Sequence, residues 1–223
     1  MLDTLLKLNS TRAGHDKIIR TLQYTCKFIA ASENSNSPLY HAMAAKIGSA
    51  RKMLRFGTCI EALYSSFNTP YHQDGIYQML VSLSNISNAM YLFCDHLLWL
   101  HNNNWLNINH ESWDNLSDRC WLYSIILDLV RDLHHLRNLT IKLDLSSNPS
   151  PVFVYLFQHH KNLLVDLIKN TADVFLPLSS LGHIKCSPKF VAFSGIVSSL
   201  VGLSQTVNPL LKLWLLWPLN QYC

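Results

Sequence analysis

The sequence predicts an all-α protein composed of amphipathic helices plus one or two membrane-spanning helices. Glycine is scarce, at seven of 223 residues, and no stretch of strand length alternates cleanly between apolar and polar residues. Only 14% of the residues are charged while 49% are apolar, whereas an ordinary soluble domain is about 25% charged. A chain with so few charges and so much apolar surface is typical of a membrane protein.

Turn-forming residues and charge divide the chain into five regions. These are a basic amphipathic helical region (1–74), a candidate membrane helix (75–100), a second amphipathic helical region (101–189), a transmembrane helix (190–211) and a short tail (212–223). Residues 1–60 hold nine basic and three acidic residues. Because cytosolic segments of membrane proteins are enriched in Lys and Arg, the first region is predicted to lie in the cytosol. The same excess indicates an anionic partner, and a phospholipid membrane is expected.

Within the basic region, a helix over about 40–67 carries an aromatic-rich apolar stripe. Its members recur at steps of three and four and are Met53, Phe56, Ile60, Leu63, Tyr64 and Phe67. Basic residues occupy the other side of the same helix, and this combination is typical of helices that lie in the interface of an anionic bilayer. A core-facing helix of a soluble bundle has the same pattern. The predicted lipid-binding residues are Lys46, Arg51, Lys52, Met53, Arg55, Phe56 and Ile60.

Two segments are candidates for crossing a membrane. Residues 190–211 are 22 residues without a charge, close to the roughly 20 needed to span the hydrocarbon core. Small residues spaced four apart in this segment permit close approach of a second helix, which predicts self-association. They are Gly195, Ser198, Ser199 and Gly202. The stretch 75–94 is also uncharged but carries Ser and Asn in its middle, which makes it the weaker candidate.

The sequence shows no pattern of an enzyme or a metal site. No phosphate-binding glycine loop, HExxH, GxSxG or EF-hand loop occurs. The pairs His134-His135 and His159-His160 are poor metal ligands, because adjacent residues of a helix point about 100° apart. The basic residues do not form a recognised nucleic-acid-binding module. We therefore expect no catalytic residues, no cofactor, no metal and no nucleic acid partner.

Five sequence blocks follow one another between residues 16 and 211. They are Asp16–Arg20 with Gln23-Tyr24, Ala50–Gly57, Asn88–Tyr91 leading into Cys94–Trp99, Asp166–Asp173 with Leu176–Leu178, and Gly195–Ser199. In this order the blocks resemble the peroxisomal membrane protein 11 family, the peroxin-11 proteins of peroxisome elongation and division. The resemblance covers nearly the whole chain.

The resemblance implies a peroxisomal membrane protein that inserts amphipathic helices, self-associates into homo-oligomers and promotes peroxisome division and proliferation. It also implies recruitment of the peroxisomal fission machinery, although the short tail (212–223) offers little surface for that. The residues that match the family's membrane-inserting helix are Arg51, Lys52, Met53, Arg55, Phe56 and Ile60. Two alternatives stay open: a pore for small metabolites, lined by Ser84, Asn85, Ser87, Asn88 and Asp95, and a soluble helical adaptor.

Overall fold

The computed structural model describes residues 11–32, 37–68, 74–142 and 160–207. These ranges contain seven helices and no strand, which confirms the all-α prediction. The helices are α1 (Arg12–Ser32), α2 (Ser37–Leu54), α3 (Thr58–Phe67), α4 (Gly75–Asn102), α5 (His110–Lys142), α6 (Lys161–Ser180) and α7 (Pro188–Val207). The tail predicted at 212–223 and the end of the segment 190–211 lie outside the described residues.

A glycine divides the helix predicted over about 40–67 into α2 and α3. Gly57 has a φ of 84°, in the left-handed region, which a residue with a Cβ adopts only at an energetic cost. No heavy atom lies within 4 Å of the position that a Cβ would take, so the backbone conformation rather than crowding favours glycine here. The predicted apolar stripe therefore continues across two helices that change direction at Gly57.

Asp74 begins α4 and also ties that helix to α5. One carboxylate oxygen accepts the backbone N–H groups of Ile76 and Tyr77 at 3.0 and 3.4 Å, as expected of an N-cap. The other oxygen lies 2.7 Å from His134 Nε2 and accepts from Asn138 Nδ2 at 3.2 Å. The hydrogen bond with His134 is the main cause that lowers the pKa of Asp74.

The helices are arranged as a closed ring. Going round it, α1 packs against α7, α7 against α6, α6 against α5, and α5 against α4, while α2 contacts both α4 and α1. The two ends of the described chain therefore meet where α1 packs on α7. A Cβ at Gly195 would lie 2.4 Å from the ring of Tyr24, and one at Gly202 would lie 3.2 Å from Lys17 Cε. The earlier residue of α1, Lys17, therefore lies beside the later glycine of α7, Gly202, which shows that the two helices run antiparallel and pack closely.

The polarity of the ring is inverted relative to a soluble bundle. Eighteen polar or charged residues of the described chain are buried, compared with fourteen apolar ones. Along α4 an outward-facing apolar stripe recurs at steps of three and four. Its exposed members are Ile76, Met79, Leu83, Ile86, Met90 and Phe93. Since soluble helices bury such a stripe against the core, an extended apolar exterior indicates contact with a membrane or with other proteins.

Among the described helices, only α7 is long and apolar enough to cross a membrane, with a mean hydropathy of 1.6. Its 20 residues span about 30 Å, the thickness of a bilayer's hydrocarbon core. It corresponds to the segment 190–211 of the sequence prediction. The span predicted at 75–100 and the cytosolic position of residues 1–74 stay predictions.

Candidate functional site

The helix ring surrounds a polar cavity of about 490 Å³ that is partly open to the outside. All the described helices except α3 contribute side chains to its wall. Seven Lys or Arg residues and seven Asp residues line it, which is an unusual density of charge for the interior of a protein. Buried charges are costly unless they are paired or hydrogen-bonded, and nine of these fourteen residues take part in ion pairs, most of which join different helices.

One group of ion pairs fixes the basic residues at the end of α2. Arg51 Nε lies 3.1 Å from Asp16 Oδ1, and Lys52 Nζ lies 3.0 Å from Asp95 Oδ1. Arg55, in the turn before α3, contacts the other oxygen of Asp95 at 2.5 Å. Burial acts to raise the pKa of Asp16, but the positive charges of Arg51 and Arg55 outweigh it and lower that pKa. These contacts anchor α2 to α1 and α4.

A second group lies between α1, α6 and α7. Arg20 forms a buried ion pair with Asp173, and Ser198 donates a hydrogen bond to the same carboxylate at 2.5 Å. The Arg20 guanidinium also lies 5.6 Å from the ring centre of Tyr24 and 5.9 Å from that of Trp121. These distances are within the range of cation–π attraction. Arg20 therefore connects α1 to α5 as well as to α6.

A third group of side-chain contacts lies between α5, α6 and α7. Arg131 Nη2 lies 2.7 Å from Asp132 Oδ1, and the other oxygen of Asp132 accepts from Asn170 Nδ2 at 3.0 Å. Gln205 Nε2 donates to Asp166 Oδ1 at 2.6 Å. These contacts join α5 to α6 and α6 to α7. Each buried acid has at least one partner, as expected of polar groups removed from water.

The structure separates the predicted lipid-binding residues into two sets. Met53, Phe56 and Ile60 are 59%, 55% and 71% exposed on the outside of the ring, and Lys46 is exposed as well. The other three basic residues, Arg51, Lys52 and Arg55, line the cavity instead. Lipid binding by the seven residues stays a prediction.

All four residues predicted for self-association are buried within their own chain. Ser198 and Ser199 are 0% exposed, and Gly195 and Gly202 are also buried. α1 covers the two glycines, as the short distances to Tyr24 and Lys17 show. Contact between two copies through this face would require α1 to move away. Self-association stays a prediction.

The polar residues of α4 are largely brought to the cavity. Ser84, Asn85, Asn88 and Asp95 line it, and Ser87 is not part of its wall. Ser84 Oγ donates to Asp128 Oδ1 at 2.8 Å, which is one of the links between α4 and α5. Four of the five residues named for a pore therefore share one interior surface.

Sequence comparison identifies the family. A profile of the family described as Peroxisomal biogenesis factor 11 matches residues 2–207. The chain belongs to this family. Its helical ring and charged interior are thus properties of a peroxisomal membrane protein involved in peroxisome proliferation. The family comprises membrane factors of peroxisome biogenesis rather than a known class of enzymes.

Curated relatives agree with the assignment to the Peroxisomal biogenesis factor 11 family. Human Peroxisomal membrane protein 11A is 25% identical over 95% of this chain and 99% of the relative, and human Peroxisomal membrane protein 11B is 24% identical with the same coverage. Peroxisomal membrane protein PMP27 of Saccharomyces cerevisiae is 25% identical over 86% of this chain and 88% of the relative. No solved structure matches the chain. The resemblance predicted from five sequence blocks is confirmed.

Sequence reasoning missed most of the charged cavity of this family member. A signal exists on α6, where Asp166, Asn170 and Asp173 recur at steps of four and three and so share one face of the helix. A polar helix face usually contacts solvent, so this pattern did not lead us to predict a site on α6. No group of three or more His, Cys, Asp or Glu among the described residues could hold a metal ion.

Proposed function

We propose that the protein remodels and elongates the peroxisomal bilayer by inserting an amphipathic helical segment and by self-association, and thereby promotes peroxisome division and proliferation. The observation that carries this proposal is an exposed apolar face on α2, the following turn and α3, here called the outer stripe. It consists of Met53, Phe56, Ile60, Tyr64 and Phe67, which are 55–77% exposed. Family membership supports the peroxisomal role.

The outer stripe has the chemistry of a membrane wedge. Transfer of apolar surface out of water gains about 25 cal/mol per Å², so exposed aromatic and aliphatic side chains of this size favour a bilayer. A helix placed among the head groups of one leaflet expands that leaflet relative to the other, and the membrane bends towards the protein. One copy has a small effect, and self-association would concentrate many copies on the same membrane.

The ion pairs support an additional role for Arg51 and Arg55, which is to hold the inserting segment in place. Arg51 and Arg55 hold the segment to α1 and α4 through Asp16 and Asp95. An anchored segment presents the outer stripe at a fixed position relative to α7, the helix suited to cross the membrane. Lys46 is exposed and is available to anionic phospholipid, where a basic residue contributes about 1 kcal/mol.

The proposal is tested by placing a charge in the outer stripe. Ile60→Glu should abolish tubulation of liposomes that contain the reconstituted protein, because the carboxylate opposes burial of the stripe. Ser65→Glu is a matched control, since Ser65 is an exposed polar residue of the same helix. Both variants should keep the helical circular dichroism spectrum. If well-folded Ile60→Glu protein tubulates liposomes like the wild type, the wedge mechanism is wrong.

A second candidate function, a path for small polar solutes, is favoured by the polar cavity inside the ring. Its volume of about 490 Å³ lies within the 300–1,000 Å³ typical of small-molecule pockets. Asn88→Leu should reduce leakage of small solutes from proteoliposomes and leave tubulation unchanged. Ser87→Leu is the control, because Ser87 is next in sequence but not part of the wall. Equal leakage from both variants and the wild type would argue against a path through the cavity.

A further inference from the structure

Two cations of the cavity wall form no ion pair within the described part of the chain. Five of the seven Lys and Arg residues in its wall form ion pairs with Asp residues. Lys17 on α1 and Lys169 on α6 form no ion pair with any described residue, and each is only partly accessible. A charge removed from water is costly without a partner of opposite sign. This part of the wall is therefore suited to bind an anion.

Lys17 packs against α7 and also lines the cavity. The side chain of Lys17 crosses Gly202, where an added Cβ would be 3.2 Å from its Cε and 3.8 Å from its Nζ. Because Gly202 has no side chain, the side chain of Lys17 can lie against the backbone of α7 at this position. Burial, followed by the positive charge of Arg20, lowers the pKa of Lys17 to about 7, and Lys169 contributes in the same direction.

Three positive charges lie near the carboxylate of Asp173 on this side of the cavity. Lys17, Arg20 and Lys169 each attract the carboxylate of Asp173 electrostatically. Burial acts to raise the pKa of Asp173, but these three cations lower it. Ser198 and Arg20 donate hydrogen bonds to that carboxylate, and neither lysine forms an ion pair with it.

The wall opposite α1 is acidic. In the order of the ring, α5 lies three helices from α1 in either direction. Its side chains at the cavity include Asp114, Asp118 and Asp128 with a single cation, Arg131. An acidic wall repels an anion and favours its placement on the lysine side.

We propose that Lys17 and Lys169 form an oxyanion-binding site inside the cavity, which accepts the phosphate or carboxylate of a small solute or the phosphate of a lipid head group. Lysine ammonium groups bind such anions through charge-assisted hydrogen bonds. The site is independent of the membrane-bending proposal, and it does not require that the cavity conduct solutes.

The test uses the purified full chain in a non-ionic detergent at low ionic strength, with inorganic phosphate as the probe in isothermal titration calorimetry. Lys17→Met and Lys169→Met should each weaken phosphate binding at least tenfold. Lys46→Met is the matched control, because Lys46 is exposed and lies outside the cavity. Lys17→Arg should restore binding because it keeps the charge, and circular dichroism verifies that each variant is folded.

A second arm identifies the source of the anion. Dihexanoyl phosphatidic acid is titrated into the same four variants and the wild type. Binding of this lipid alone, with the same dependence on Lys17 and Lys169, assigns the site to a head group; binding of free phosphate assigns it to a soluble anion. If neither probe binds, or if folded Lys17→Met and Lys169→Met proteins bind like the wild type, the proposal is wrong. Liposome tubulation by the same variants tests the wedge mechanism separately.

Discussion

Arg55 Nη2 lies 2.5 Å from Asp95 Oδ2, so the turn between α2 and α3 is fixed to α4. The same carboxylate holds Lys52 through its other oxygen. One aspartate of α4 therefore fixes the position of the helix pair that carries the outer stripe, while Phe56 faces outward next to this ion pair. The short segment from Lys52 to Phe56 therefore places its charged side chains towards the cavity and its apolar side chains on the outside of the ring.

Asp95→Asn should destabilise the fold strongly. The substitution leaves Lys52 and Arg55 without their shared counter-ion, and loss of one partner of a buried pair costs roughly 3–5 kcal/mol. Thermal unfolding of the detergent-solubilised protein, followed by circular dichroism, should show a lower midpoint. Asp114→Asn serves as the control, because Asp114 is an exposed residue of α5. Equal midpoints for the two variants would show that the ion pairs at Asp95 contribute little to stability.

Gly195→Leu should disrupt the packing of α1 on α7. Even a Cβ at this position would lie 2.4 Å from the ring of Tyr24, so the larger side chain must displace α1. We expect a lower unfolding temperature, partly recovered in the double variant Gly195→Leu with Tyr24→Ala. Gly75→Ala is the control, since no heavy atom lies within 4 Å of its Cβ position. If cross-linked oligomers are lost while the stability of Gly195→Leu is unchanged, Gly195 contacts a second copy instead.

The exposed and the buried basic residues should differ in how they depend on salt. Lys46→Ser should weaken binding to anionic vesicles mainly at low salt, because salt screens the charge of an exposed lysine. Arg51→Ser should instead lower the unfolding temperature at every salt concentration, since Arg51 is paired with Asp16 inside the ring. Vesicle sedimentation and thermal unfolding at two salt concentrations measure the two effects. A stable Arg51→Ser protein with salt-dependent loss of vesicle binding would place Arg51 at the lipid surface.

Phosphate binding in the cavity should weaken as the pH rises from 6 to 8. Lys17 has a pKa of about 7, so it is charged below this pH and becomes neutral above it. The neighbouring acids Asp16 and Asp173 have lowered pKa values and stay ionised, and Arg20 stays charged. In Lys17→Arg protein the affinity should change much less over this range. An equally steep pH dependence in that variant would assign the titration to the probe or to another group.

The sequence by itself determined the features that depend on local spacing. The helical class, the uncharged run that became α7, and the apolar stripe from Met53 to Phe67 are all visible as composition or as steps of three and four residues. The end of α2 and the start of α3 around Gly57 could not be predicted from this spacing. The stripe has a helical period on both sides of Gly57, and a glycine within a helical pattern does not by itself show a left-handed conformation.

Only the tertiary structure decided which faces are inside. A stripe of basic residues has the same period whether it faces water, lipid head groups or a cavity. The spacing of Arg51 and Arg55 was therefore compatible with all three environments. The environment of a buried arginine is determined by its acidic partner, which is distant in sequence. Asp16 is 35 residues before Arg51, and Asp173 is 153 residues after Arg20. The pair of Asp16 and Arg51 exists because α1 packs against α2, and the pair of Arg20 and Asp173 exists because the ring closes where α1 meets α7. Both depend on how the helices pack rather than on any local pattern.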